Sequence, residues 1–209
     1  MKTFFLFLIP LSLAFAYPAV AQVEEEDELA VNKDTVIQID DNRFIYRSKI
    51  YKKNTPYVTL GYGAGMNLGK KTIEQNMTIS YHYFIKGLGV GLGYHTSKDD
   101  KVWWRSHQTL IDYHLLVGKR WDGVKYNIAG FVGPSFAKGE YITYVEEVEE
   151  DRYFPFSTFG FEAELQYTYR LLYDVGIGIS AYTSLNKYTQ VVGAQLHLFF
   201  STAYVRSYN

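Results

Sequence analysis

Among the residues of this 209-residue chain whose types suit proton transfer are Glu74, His82, His95, Asp112, His114, Lys125, Glu162, Glu164, Arg170 and His197. Each falls on the polar positions of a segment that alternates apolar and polar residues, so all project from one face of extended chain. Acids, bases and imidazoles sharing one dry space are the ingredients of general acid and base catalysis. The same set also meets a structural demand, because charges enclosed in a narrow interior must be paired and hydrogen-bonded. Buried networks of this kind perturb ionisation without doing chemistry. An ion pair of Arg170 with Glu164 or Glu162 is the expected form of that pairing. A sharper arrangement is His95-Thr96-Ser97, in which a histidine and a serine two residues apart offer a base and a nucleophile, with a carboxylate to orient the base.

A further cluster lies between Ala137 and Pro155, where Glu140, Glu146, Glu147, Glu149, Glu150 and Asp151 are flanked by Tyr141, Tyr144, Tyr153 and Phe154. Hard oxygen ligands are what calcium and magnesium prefer, so Glu146 to Asp151 is the metal candidate of the sequence. The simpler reading is a solvated acidic loop. Trp103 and Trp104, in the stretch 98–106, suit an interfacial anchor, as do Tyr167 and Tyr169.

The elements that must position these residues are strands of one kind. In the segment 157–170, Phe159, Phe161, Ala163, Leu165, Tyr167 and Tyr169 alternate with Gly160, Glu162, Glu164, Gln166, Thr168 and Arg170. An oily face as long as a membrane is thick, ended by tyrosines and backed by charges, suits a transmembrane β-barrel strand with its oily side to lipid. Seven more segments share the pattern, at about 57–68, 73–85, 88–97, 107–119, 124–136, 173–185 and 189–200. A one-residue slip would exchange the two faces, so register is strongly specified. Connections alternate in length, short at 86–87, 120–123 and 171–172 and long at 98–106 and 137–155. Short turns belong on the periplasmic side, which puts both termini there. The fold class expected is therefore all-β, an eight-stranded antiparallel up-and-down transmembrane barrel. Eight strands leave an interior just wide enough for their own side chains.

Lys2 followed by the apolar run Phe4 to Ala16 and the small triplet Ala19-Val20-Ala21 reads as a secretory signal peptide over 1–21. A periplasmic N-terminal arm follows over 22–55, the barrel over 56–200 and a tail over 201–209. Within the arm, 35–39 and 43–51 look extended around Asp40-Asp41-Asn42, with Phe44, Tyr46 and Ile50 on one face and Arg43, Arg47 and Lys49 on the other. Nearly balanced charge, 21 basic against 22 acidic residues, gives no electrostatic case for nucleic acid. The absence of cysteine excludes disulfides, thiolate metal sites and a lipid-modified cysteine at the cleavage point. No cofactor is expected.

Over about residues 56–200 the chain resembles the small eight-stranded outer-membrane barrels of the OmpX, OmpA-transmembrane and PorT-like type. Gly193, Leu196, Leu198 and Phe199-Phe200 resemble the assembly signal of such proteins, although Val191 replaces the usual polar residue and nine residues follow Phe200. Asp34-Thr35-Val36 resembles the three-residue O-glycosylation motif of Bacteroidota. The resemblance implies location in the outer membrane of a Gram-negative bacterium, contact with lipid and lipopolysaccharide, and other outer-membrane or periplasmic proteins as partners. It implies a non-enzymatic role, envelope-structural or assembly-accessory, through the surface loops and the periplasmic arm. One alternative is a lipid A or phospholipid-modifying enzyme, since lipid A deacylases of the PagL type carry a His-x-Ser pair that His95 and Ser97 resemble. Register opposes it, because His95 faces inward whereas such an enzyme works from the outer wall. The other alternative, a narrow channel or small-ligand binder, draws on the inward glycines of several strands. Those glycines also make room for inward Tyr57, Phe84, Phe131, Tyr182 and Phe199.

Overall fold

A computed structural model describes residues 35–69, 71–85, 87–98, 108–145 and 150–207, with the side chains of 108–109, 141–145 and 150–153 left aside. The expected signal peptide, residues 22–34 of the arm, Trp103, Trp104 and the acidic candidates Glu146, Glu147 and Glu149 lie outside what is described, as do the side chains of Glu150 and Asp151.

Three short strands open the described chain: β1 (Val36–Asp40), β2 (Arg43–Tyr46) and β3 (Lys49–Lys52). Eight long ones follow: β4 (Tyr57–Asn67), β5 (Thr72–Ile85), β6 (Leu88–Lys98), β7 (Gln108–Asp122), β8 (Tyr126–Val145), β9 (Glu150–Arg170), β10 (Val175–Asn186) and β11 (Gln190–Ser201). A last short strand, β12, spans Tyr204–Ser207. Strands β4 to β11 pair antiparallel in chain order, and β11 closes on β4 to make a barrel without an edge.

Parity along the barrel strands follows the alternation of the sequence. On β9, Phe159 is 80% exposed and Leu165 56%, while Glu162 is 1% and Gln166 0%. A water-soluble barrel would put those aromatics inside; here the outer wall is oily and the interior polar. Two strands run further than the sequence pattern suggested. Residues 137–155, expected as a loop, continue β8 to Val145 and start β9 at Glu150, paired from Val145↔Glu150 through to Tyr126↔Tyr169. Backbone pairing persists there after the oily alternation has ended, which is why side-chain patterning alone did not reveal it.

At the end of the barrel where β4 begins and β11 finishes, β1, β2, β3 and β12 form a second sheet in that order. The extended run expected over 43–51 is instead a hairpin. Arg47 and Ser48 both have positive φ, 50° and 57°, as a two-residue type I′ turn requires. The turn resets parity, so Tyr51 joins Phe44 and Tyr46 on one face, and Ile50 moves to the other, opposite Ile45. Phe44, Tyr46 and Tyr51 pack with Tyr173 and Ala203, fastening this sheet to the barrel turn that carries Tyr173. The segment expected as a tail supplies the fourth strand, β12 pairing β3.

Candidate functional site

Inward side chains fill the barrel in bands. At the end bearing the small sheet, Asp122 of β7 is the hub. Its carboxylate accepts from Arg120 Nη2 at 2.8 Å, lies 2.6 Å from Arg170 Nη2, and accepts from the Tyr173 hydroxyl at 2.6 Å. Arg120 also donates to the Thr55 carbonyl and Arg170 to the Gly123 carbonyl. The guanidinium of Arg120 stacks 4.5 Å from the Phe84 ring, and that of Arg170 4.1 Å from the Tyr173 ring. Burial of the Tyr173 hydroxyl beside Asp122 pushes its pKa well above the usual phenol range.

Behind this ionic band lies an apolar one, Tyr57, Phe84, Leu116, Ala129, Phe131 and Phe199, all under a tenth exposed. His82 stacks on Tyr57 with ring centroids 4.6 Å apart, and Gln166 accepts from the Tyr57 hydroxyl at 2.9 Å. Thr168 bonds His197 at 2.9 Å. The inward glycines make room for these rings: a Cβ on Gly89 would stand 2.7 Å from Phe84 and 2.8 Å from Phe131. Towards the other end a second apolar group, Leu110, Ala137, Phe156, Tyr182 and Val191, occupies the interior.

Between the two apolar groups is the most chemical part of the molecule. His114 Nδ1 lies 2.9 Å from Glu162 Oε2, and Ser184 donates to Asp112 Oδ2 at 2.7 Å. One ligand-type atom from each of Asp112, His114 and Glu162 falls within 4.8 Å of the other two. The sequence places them together through pairing: Asp112 and His114 are two apart on β7, and Glu162 pairs with Gly133 on β8, beside Ser135, the partner of His114. His95 on β6 is the register partner of Asp112. Gly93, the register partner of His114, lacks the side chain that would collide with the His114 ring, so the imidazole lies across β6.

His95 and Ser97 are both fully buried in the interior. The Ser97 hydroxyl donates to Glu74, which also accepts from Asn67 at 2.8 Å, and neither His95 nitrogen has a hydrogen-bond partner among the described residues. No hydrogen bond links His95 to Ser97 in this arrangement.

Of the ten residues of the expected interior network, the structure places nine inside: Glu74, His82, His95, Asp112, His114, Glu162, Glu164, Arg170 and His197 are each at most 5% exposed. Lys125 is the correction. It is exposed on the connection between β7 and β8, because β8 begins only at Tyr126 and Gly123 N–H bonds Tyr126 O across the turn. The expected Arg170 pair with Glu164 or Glu162 is corrected as well: Arg170 pairs with Asp122, and Glu162 with His114. Arg120, Asp122 and Tyr173 escaped the sequence reading, which ended the fourth barrel strand at Lys119. The inward parity of Asp112 and His114 continued through Arg120 and Asp122, with Lys119 and Trp121 outward, was the available signal. Tyr167 and Tyr169 stand on the outer wall, about half exposed.

The chain matches no known family description, and no curated protein matches it. Its fold is similar to that of Neisserial surface protein A, with a TM-score of 0.51 at 11% identity over 70% of this chain and 95% of that one. Other similar structures are Ail, the attachment invasion locus protein of Yersinia pestis (0.49, 12%, 72% and 98%), and the N-terminal β-barrel domain of Pseudomonas aeruginosa OprF (0.47, 13%, 69% and 97%). At such identities the first likeness bears on the fold, a small closed antiparallel barrel of eight strands.

Proposed function

We propose that this chain is a non-enzymatic integral outer-membrane barrel, of the OmpX or PorT-like kind, with an envelope-structural or assembly-accessory role. The observation that carries the reading is the distribution of polarity: an oily outer wall rimmed by Tyr167, Tyr169, Tyr126 and Trp121, around an interior occupied by charges and rings. Lipid is the solvent in which that arrangement is stable, because each barrel strand pairs with a neighbour on both sides of a closed sheet and no charge of β9 from Phe159 to Arg170 faces outward. The Asp122 hub and the Phe84–Phe131 band occupy the interior in succession, which argues against free diffusion through it. Among the described residues, the four-stranded sheet and the long β8–β9 hairpin at the opposite end are left for contact with soluble molecules. The sheet has two edges, β1 and β12, and on β1 Val36, Ile37 and Ile39 are each more than two-fifths exposed. Unpaired edges of this kind accept an added strand from a partner.

Affinity purification of the full chain from native membranes in mild detergent tests the role. A stoichiometric protein partner, lost when Ile37→Asp and Ile39→Asp are introduced together, is the expected result. Reproducible single-channel conductance of the purified protein in planar bilayers would overturn the reading in favour of a channel.

A further inference from the structure

The four carboxylates of the interior beyond the Asp122 hub, Glu74, Asp112, Glu162 and Glu164, are each at most 5% exposed. The interior arginines do not reach them, since Arg120 and Arg170 both spend their charge on Asp122. Asp112 has His114 as its charged neighbour, and the strongest charged neighbours of Glu162 are His114, Asp112 and Glu164. One imidazole thus serves several acids in a place where an unbalanced buried charge is costly.

We propose that Asp112, His114 and Glu162 bind one divalent transition-metal ion inside the barrel. Two carboxylate oxygens and one imidazole nitrogen form a set suited to Zn2+, Co2+ or Mn2+, the imidazole favouring these over Ca2+ or Mg2+. Their ligand atoms span up to 4.8 Å, so side-chain rotations of about 1 Å bring them to the ~2.0–2.2 Å metal distances of such sites. Ser184 already holds Asp112 from behind, as outer partners of metal ligands do.

An independent observation points to the same place. His95 is fully buried, faces the interior opposite Asp112, and has neither ring nitrogen hydrogen-bonded among the described residues. The Nε2 atom of His114 is also without such a partner. Unpartnered buried imidazole nitrogens beside two carboxylates call for an acceptor of their lone pairs, and a cation is one. His95 borders the site across the β6–β7 pairing and lies outside the 4.8 Å set itself. Binding displaces any proton held by the ligands, which leaves to solvent, so affinity falls as pH falls. The apolar groups on both sides imply loading during folding and slow exchange afterwards.

The test uses the full chain refolded into lipid vesicles with Zn2+ or Co2+ present, followed by dialysis against a chelator and elemental analysis. About one retained ion per chain is expected, released on unfolding, with Co2+ giving the visible absorption of an enclosed nitrogen and oxygen site. Asp112→Asn with Glu162→Gln should abolish retention, whereas Glu74→Gln should leave it unchanged; circular dichroism and heat-dependent gel mobility establish that each variant has folded. Should the double variant fail to fold, His114→Gln serves instead, expected to lower retention at least about tenfold. Absence of retained metal in the folded wild-type barrel, or retention unaffected by folded variants, would overturn the proposal.

Discussion

Replacing Asp122 by asparagine preserves its shape while removing the one carboxylate on which two buried guanidiniums converge. The side chains of Arg120 and Arg170 are only 2% and 1% exposed, against 13% for Asp122. Removing one partner of a buried ion pair costs about 3–5 kcal/mol, because the other charge is left buried and unpaired. Two features move this case to the lower end: each guanidinium keeps a carbonyl acceptor and a ring face, and the amide oxygen of asparagine still accepts a hydrogen bond. We expect a loss of about 3 kcal/mol, which at a urea dependence of about 3 kcal/mol per molar lowers the unfolding midpoint by about 1 M. Trp121, next to Asp122, reports the transition by fluorescence in protein refolded into vesicles. Adding Arg170→Met to Asp122→Asn should recover about 1 kcal/mol, since one guanidinium fewer is then unpaired. A midpoint shift below about 0.3 M, or a double variant whose losses simply add, would refute the hub as an energetic unit.

Gly89→Ala should cost about 1–3 kcal/mol by overpacking Phe84 and Phe131, whereas Gly91→Ala, whose Cβ would meet His82 at 3.5 Å, should stay within about 0.5 kcal/mol; urea titration compares the two. Leu165→Arg should destabilise by about 2–4 kcal/mol in a bilayer and Tyr169→Arg, nearer the rim, by about 0–1 kcal/mol; equal effects at both sites would speak against a membrane around the barrel. Burial pushes the Tyr51 hydroxyl up to about 12. Its folded pKa lies above the unfolded one, so the small sheet keeps this contribution below pH about 10 and loses it as pH rises towards 12. Ultraviolet titration of tyrosinate, wild type against Tyr51→Phe, should show one phenol ionising late, and its absence would refute the packing of Tyr51 against Phe44 and Tyr173.

The alternation from Ser157 to Arg170 made the barrel legible, because in a closed sheet the side-chain period and the two-faced environment are the same fact. Oily positions such as Leu165 and polar ones such as Glu164 therefore came out on the expected walls. The small sheet was half legible. Its extended pieces showed, but the hairpin at Arg47-Ser48 did not, since neither residue is glycine or asparagine and positive φ there is imposed by pairing of β2 with β3. Strand β12 was hidden for a related reason: Tyr204–Ser207 is exposed on both faces and carries no alternation, so only its hydrogen bonds to β3 make it a strand.

By itself, then, the sequence determined which side chains enter the interior, because parity is a local property of each strand. It left open which of them meet, because that depends on how far neighbouring strands are staggered around a closed barrel. Arg170 could be seen to point inward beside Glu164, yet the turn and the stagger deliver it to Asp122. The same stagger brings His114 to Glu162 across β8, leaving Asp112 and Glu162 on one side of an apolar band and the arginines with Asp122 on the other. Nothing in the linear order of charges records that separation, since it arises only when the eighth strand closes on the first.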